Sequence, residues 1–471
     1  MVATAESPSS DGLVERLFHL SKHGTTWRTE VLGGVTTFAT MAYIIVANPG
    51  ILSHVDFPGG TGPLTVATIL TAVFGCLLMG FYANRPLAVA PYMGENAFIA
   101  FGLAALHITW QQRLGAVFVS GLAFLVITLL GLRTLLANAI SSSMKHSFAV
   151  GIGLFLAFIG LYLTGMVTSS VAGEPPAFLK TTADGKLLPP DVPVKIGDFH
   201  DPKVLLAVGG FVLIALLLCW RVKGAILIGI IATGVAAYVT GHGTAPQGVV
   251  ALPLTGEYSL EPLAGQLDLR GVLQFSFLPL LLTLFLMSFL DTLGTLSGVG
   301  AAAQMLDAEG NFPQMERPML VDALACVFSA AVGSSTSGAY IESAAGVREG
   351  ARTGLAAVVT GLLFAVALFF IPLFQPLQKL QHVYGPALIA VGVMMMSSVT
   401  KIHFEDLTEA VPAFATIVMM VFTYNIANGL TAGLVLYPVL KAATGRWREL
   451  HLGSVILGAA CLVYYVWGLP H

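Results

Sequence analysis

The sequence predicts an all-α polytopic membrane protein. Three observations carry that expectation. Only 10% of the 471 residues are charged and 56% are hydrophobic, whereas an ordinary soluble domain carries about a quarter charged residues. Apolar runs recur from Leu32 almost to the C-terminus, and a helix of roughly 20 such residues crosses a hydrocarbon core of about 30 Å. Two of the runs are interrupted by glycine, serine, proline and a carboxylate, the pattern of broken helices that line a polar path through a membrane.

Residues 1–30 form a cytoplasmic segment. It mixes Glu6, Asp11, Glu15 and Arg16 with polar residues and lacks the continuous apolar core of a cleavable signal peptide. Leu13, Val14, Leu17, Phe18 and Leu20 fall at helical spacing, which predicts a short helix lying on the membrane surface.

The first membrane half covers 31–241, with elements at Leu32–Leu52, Leu64–Tyr82, Ala88–His107, Leu114–Gly131, Ser147–Val167, Val204–Trp220 and Gly224–Thr240. An extracellular loop at about 168–203 and a connection at 242–271 carry no expected chemistry. The second half, 272–441, holds Val272–Leu296, Met319–Val332, Thr336–Val347, Leu355–Leu373, Pro386–Val399, Val411–Tyr424 and Leu430–Leu440. Residues 442–471 contain one more apolar run, Val455–Leu469, either a further span or a shallow arm. Cys76, Cys219, Cys326 and Cys461 each lie inside an apolar run without metal or disulfide spacing and are expected to be buried thiols.

Two sets of seven suggest an internal repeat, because an odd number of crossings inverts the second copy. Weak similarity supports it: Phe148–Phe158 (FAVGIGLFLAF) resembles Ile389–Val399 (IAVGVMMMSSV), and Trp220–Gly234 parallels Tyr424–Pro438. With the N-terminus inside, the inner loops hold Arg85, Arg133 with Lys145, Arg221 with Lys223, Arg348 with Arg352, Lys401, and Arg446 with Arg448, as the positive-inside bias requires. Nothing in the charge pattern points to nucleic acid.

The chemistry concentrates in the third element of each set, AVAPYMGENAFIAF (Ala88–Phe101) and GSSTSGAYIESAAG (Gly333–Gly346). Both should contain non-helical backbone and face each other across a central cavity. Most of the small residues here serve close helix packing. Asp291 and Glu342 do not fit that explanation, because a carboxylate at the bilayer centre costs roughly 2.5–3.5 kcal/mol on insertion scales. Asp322 and Glu95 are weaker candidates of the same kind.

The runs EVLGGVTTFATMAYIIVANPGIL, APYMGENAFIAF, SFLDTLGTLSGVG and YIESAAGVREGARTGLAAV resemble those of the azaguanine-resistance-type purine permeases, in the nucleobase/ascorbate transporter superfamily. The likeness runs from about Arg16 to about Tyr437. It implies the uracil-permease-like fold: two inverted seven-helix repeats, core and gate domains, short strands in the broken third and tenth helices, and usually a homodimer with an elevator motion. It also implies uptake of adenine, guanine or hypoxanthine by proton symport across a bacterial inner membrane, with no cofactor and no metal. A uracil or xanthine proton symporter of the same fold is the alternative.

By motif, Asp291 matches the acid of the eighth helix and Thr295 a position one turn on. Glu342 matches the acid that grips the base edge. Tyr340 and Ile341 match the short strand before that acid, and Asn96, Ala97 and Phe98 its counterpart in the third helix. A purine offers a flat face and an edge of donors and acceptors. Glu342 and Asn96 are the candidate edge partners, Phe98 the candidate face, and Asp291 the candidate proton carrier. Glu95 stands where relatives usually carry an apolar residue and is a further candidate for the proton.

Overall fold

The computed structural model describes residues 12–132, 136, 139–173, 190, 192–305, 312 and 314–467. Arg133, residues 174–189 and 191 of the 168–203 loop, and the end of the last apolar run lie outside them.

The predicted surface helix is α1 (Leu13–Phe18), with Leu13, Val14 and Leu17 exposed while Phe18 packs inward. The Thr26 hydroxyl accepts from the Thr29 N–H and opens α2 (Trp27–Met41). The chain turns at Tyr43 and continues as α3 (Ile44–Leu52), so the first crossing is a bent pair. Glu30, fully buried, accepts from the backbone N–H groups of Arg352 (2.7 Å) and Thr353 (3.2 Å). Its carboxylate thereby satisfies donors that the start of a distant helix leaves free.

Next, α4 (Thr61–Leu78) widens into a π-helical turn, Met79–Ala83, and stops at Asn84 in the left-handed region. The chain then extends into β1 (Val89–Pro91), followed by the short α5 (Met93–Ala97) and a second π-helical turn, Phe98–Gly102. A break at this depth leaves carbonyls that water cannot reach. The buried Arg113, on α6 (Trp110–Leu129), donates to the carbonyls of Ile99, Ala100 (3.1 Å) and Leu103 (3.4 Å).

The first half ends with α7 (Ser142–Leu163), the hairpin β2 (Val167–Ser169) and β3 (Val194–Ile196), α8 (Pro202–Cys219) and α9 (Ala225–Val239). The second half begins with α10 (Leu278–Ala302) and α11 (Glu316–Val332). It is broken in turn at β4 (Ser337–Ala339), which leads through Glu342 into α12 (Ser343–Arg348). Then follow α13 (Gly354–Ala367), α14 (Ile371–Gln378), α15 (Gln381–Met395), α16 (Leu407–Phe422), α17 (Ile426–Ala443) and α18 (Leu452–Trp467). Among the described residues nine helices are long and apolar enough to cross a membrane, and the chain is a multi-pass membrane protein. The last run packs as α18 against α17.

The helices sort into two packed groups. One gathers α2, α4, α6, α10, α11, α12 and α13 around the two strands; the other gathers α7, α8, α9, α15, α16 and α17. The similar stretches around Gly153 and Gly392 turn out to cross each other. A Cβ on Gly392 would lie 2.4 Å from the Gly153 carbonyl, and one on Gly153 3.0 Å from the Gly392 carbonyl, so only glycine lets α7 and α15 approach this closely.

Three expectations need correction. The broken segments do not face each other across open space. They pair as antiparallel strands, Val89 opposite Ala339 and Pro91 opposite Ser337, because hydrogen bonds between them satisfy backbone groups that neither segment can satisfy alone. The first strand is 89–91, so Asn96 and Ala97 are helical and Phe98 lies in the π-helical turn; in the second half Tyr340 and Ile341 follow the strand. Finally, Cys219 is exposed, while Cys76, Cys326 and Cys461 are buried.

Candidate functional site

Backbone contacts carry the strand pair beyond its ends. Tyr340 N–H donates to the Ala88 carbonyl and Tyr92 N–H to that of Thr336, each at 2.9 Å. The Tyr340 hydroxyl donates to the Pro91 carbonyl, and the Tyr92 and Tyr340 rings lie 9° from parallel with centroids 6.2 Å apart. Tyr340 is thereby held by the opposite broken segment, and its ring packs along that of Tyr92.

A cavity of about 1750 Å³ runs along this pair between the two helix groups. Glu342, the residue that caps α12, reaches it from one side, and its Oε1 accepts from the Tyr43 hydroxyl at 2.9 Å. From α10, Asp291 and Thr295 line the same space beside Gly294, whose missing side chain leaves room, and Gly298, against which the Ile341 side chain packs. Tyr92, Tyr340 and Ile341 complete this wall, and Ile152, Leu156, Met420 and Leu430 of the other group give the opposite, apolar one. A flat ligand with a polar edge would find carboxylates and hydroxyls on one side and hydrocarbon on the other.

The remaining predicted residues sit behind the wall. Asn96, Ala97 and Phe98 are buried in α5 and its π-helical turn and do not line the cavity. Asn96 Nδ2 donates to Asn48 Oδ1 at 2.6 Å, and Asn48 in turn donates to Thr68 Oγ1 (2.8 Å) and Ser334 Oγ (3.2 Å). This amide and hydroxyl network holds the two broken segments to α3 and α4. Glu95 is 1% exposed and accepts from the Ser288 hydroxyl of α10 at 2.9 Å. Asp322 accepts from the Ala339 N–H (3.0 Å) and from the Thr292 hydroxyl (2.8 Å), which also meets the Tyr92 hydroxyl at 3.1 Å. Asp322 therefore positions the strand and the helix that carries Asp291.

Sequence reasoning passed over Tyr43, Tyr92 and Thr292. Tyr92 stands inside a motif already marked as interrupted, and Thr292 follows Asp291, so both had a local signal. Tyr43 had none: it sits in an apolar run and becomes a partner of Glu342 only because α2 bends into α3 beside it.

The model of the Permease family matches residues 28–431. At 40% identity, covering 96% of this chain and 98% of the relative, the chain is similar to a putative permease of Methanocaldococcus jannaschii. It is 37% identical to the adenine permease AdeQ of Escherichia coli, covering 96% of each chain. It is 36% identical to the guanine/hypoxanthine permease PbuG of Bacillus subtilis, covering 96% of this chain and 99% of that one. Among solved structures, the transmembrane domain of the cyanobacterial bicarbonate transporter BicA superposes with a TM-score of 0.59 at 17% identity, covering 85% of this chain and 97% of that one. That likeness concerns the fold alone.

Proposed function

The chain belongs to the Permease family, in the azaguanine-resistance-type branch of the nucleobase/ascorbate transporters, and from that membership we propose that it imports purine nucleobases by proton symport. The observation that carries the reading is the pair Asp291 and Glu342 opening onto one cavity beside two paired broken segments. The names of the adenine and guanine/hypoxanthine relatives favour a purine over uracil.

In this reading Glu342, steadied by Tyr43, accepts the N–H edge of the base, and the rings of Tyr92 and Tyr340 with Ile341 and Thr295 frame it. Asp291 exchanges the coupled proton, with Glu95 behind it as an alternative carrier. Asn96, Ala97 and Phe98 shape the site from behind. Importing one positive charge with a neutral base gains about 2.3 kcal/mol per 100 mV of membrane potential, roughly a fifty-fold accumulation.

The architecture is read as two inverted seven-helix repeats in 31–241 and 272–441. The group around the strands is the core domain, and the group around α7 and α15 is the gate. The antiparallel strand pair, one strand from each half, and the crossing of the two similar glycine helices support this. The chain is placed in the cell membrane with the N-terminus cytoplasmic, as a homodimer. Uptake of labelled adenine, guanine, hypoxanthine, xanthine and uracil, in cells lacking their own permeases, tests the function. Accumulation of purines that collapses when the proton gradient is discharged is expected, and preferential uptake of uracil would overturn the assignment.

A further inference from the structure

The cavity is larger than a nucleobase requires. Ligand pockets for drug-sized molecules occupy roughly 300–1,000 Å³, whereas this one measures about 1750 Å³. Its surplus runs from Asp291 and Glu342 out to a mouth lined by Lys145, His146, Arg221, Lys223, Arg348 and Lys401. Four separate pieces of chain supply these bases: the start of α7, the turn after α8, the end of α12 and the turn after α15.

The acids at the same mouth are Glu316 and Glu349, and Glu349 is taken by Lys223 at 2.8 Å. Lys145, Arg221, Arg348 and Lys401 form no ion pair among the described residues. The positive-inside bias accounts for basic loops in general, but does not require them to converge on the wall of the substrate cavity. Nor does it require Lys145 and His146 to be half-buried there. Cations that outnumber the carboxylates beside them repel one another, and an anion that enters relieves the repulsion. Arginine and lysine together suit a phosphoryl group, the first as a bidentate fork and the second as a point charge.

We propose that the mouth binds the phosphoryl group of a purine nucleoside monophosphate whose base points toward Asp291 and Glu342, so that this ligand plugs the cavity from the basic side. The proposal rests on the purine reading of the inner site. A single molecule then spans both ends of the cavity, with the ribose bridging the stretch between. The class of reaction that consumes the imported base, transfer of a ribose phosphate to a ring nitrogen, makes this ligand on the side the mouth faces. A filled nucleotide pool would slow further import.

The test uses the purified full chain and displacement of labelled purine by adenosine or guanosine monophosphate, each compared with its unphosphorylated nucleoside. The monophosphate should compete at least about tenfold better, as one charge-assisted contact allows. Lys145→Gln, Arg221→Gln and Lys401→Gln combined should erase that advantage and leave base affinity unchanged. Equal competition by nucleoside and monophosphate, or an advantage that survives the triple variant, overturns the proposal. Inorganic phosphate or phosphatidylglycerol binding as tightly as the nucleotide would also overturn it, in favour of a lone phosphate or a lipid headgroup. If labelled base fails to bind at all, the purine reading falls by itself, and cation-dependent binding of labelled monophosphate still judges the mouth.

Discussion

Glu342 and Asp291 reach one cavity from different helices and with different partners, and so the roles proposed for them separate in experiment. Glu342 holds a hydroxyl donor at 2.9 Å and presents its remaining acceptor capacity to the cavity. Glu342→Ala should weaken base binding by about 1–3 kcal/mol, the penalty for leaving a polar edge unpaired. Equilibrium binding to folded protein measures it, and an unchanged affinity would remove Glu342 from the site. Asp291→Asn keeps the shape and loses the ability to change charge. It should retain much of the binding and exchange while abolishing accumulation driven by an imposed pH gradient. An Asn variant that still accumulates purine moves the proton to Glu342 or Glu95. Both acids were legible in the sequence because a carboxylate at membrane depth is too costly to be idle. Tyr43 was not, since a tyrosine in an apolar run has many innocent explanations.

At the scale of elements, the strand pair sets the positions of the acids without touching a ligand. Gly338 lies where a Cβ would come within 2.2 Å of the Tyr92 hydroxyl, so the cross-strand packing depends on that residue having no side chain. Gly338→Val should push Tyr92 away from Thr292, destabilise the fold by the roughly 1–3 kcal/mol typical of overpacking and so lower the melting temperature, and weaken base binding although no acid has changed. Gly209→Ala on α8, where an added Cβ meets nothing within 4 Å, is the control and should shift neither quantity. Thermal unfolding and binding on the same preparations decide it; a Gly338→Val protein that melts and binds like the parent would show that the strands tolerate repacking. The interruption of both segments was readable from their glycines and serines. Their pairing was not, because it joins residues about 250 positions apart and backbone hydrogen bonds leave no side-chain signature.

Over the whole molecule, the two helix groups touch at the mouth through Lys223 and Glu349 and again at the end remote from it. Phe101 and Tyr424 meet with ring centroids 6.2 Å apart, Asn425 Nδ2 donates to the Gly102 carbonyl at 3.1 Å, and His54 lies 4.9 Å from Phe101. His54 also meets Gln381 at the start of α15, whereas Lys401 lies just beyond its other end. If the groups move against each other during transport, this contact opens whenever the mouth closes. Locking it with a short thiol cross-linker between Phe101→Cys and Tyr424→Cys, on a Cys219→Ser background, should stop transport and preserve base binding from the mouth side. Transport that continues in the cross-linked protein would exclude relative motion at this contact.

By itself the sequence determined the solvent this chain folds in, its multi-pass character, the two interrupted segments and the acids within them. Each follows from a cost paid locally against hydrocarbon, which leaves its mark on composition and period. Only the tertiary structure decided that the broken segments pair as strands, that Asn96 and Phe98 stand behind the cavity wall, that Tyr43 meets Glu342, and that bases from four parts of the chain share one mouth. Those outcomes depend on which surfaces meet after the helices pack, and contacts across hundreds of residues impose no pattern on any single stretch of sequence.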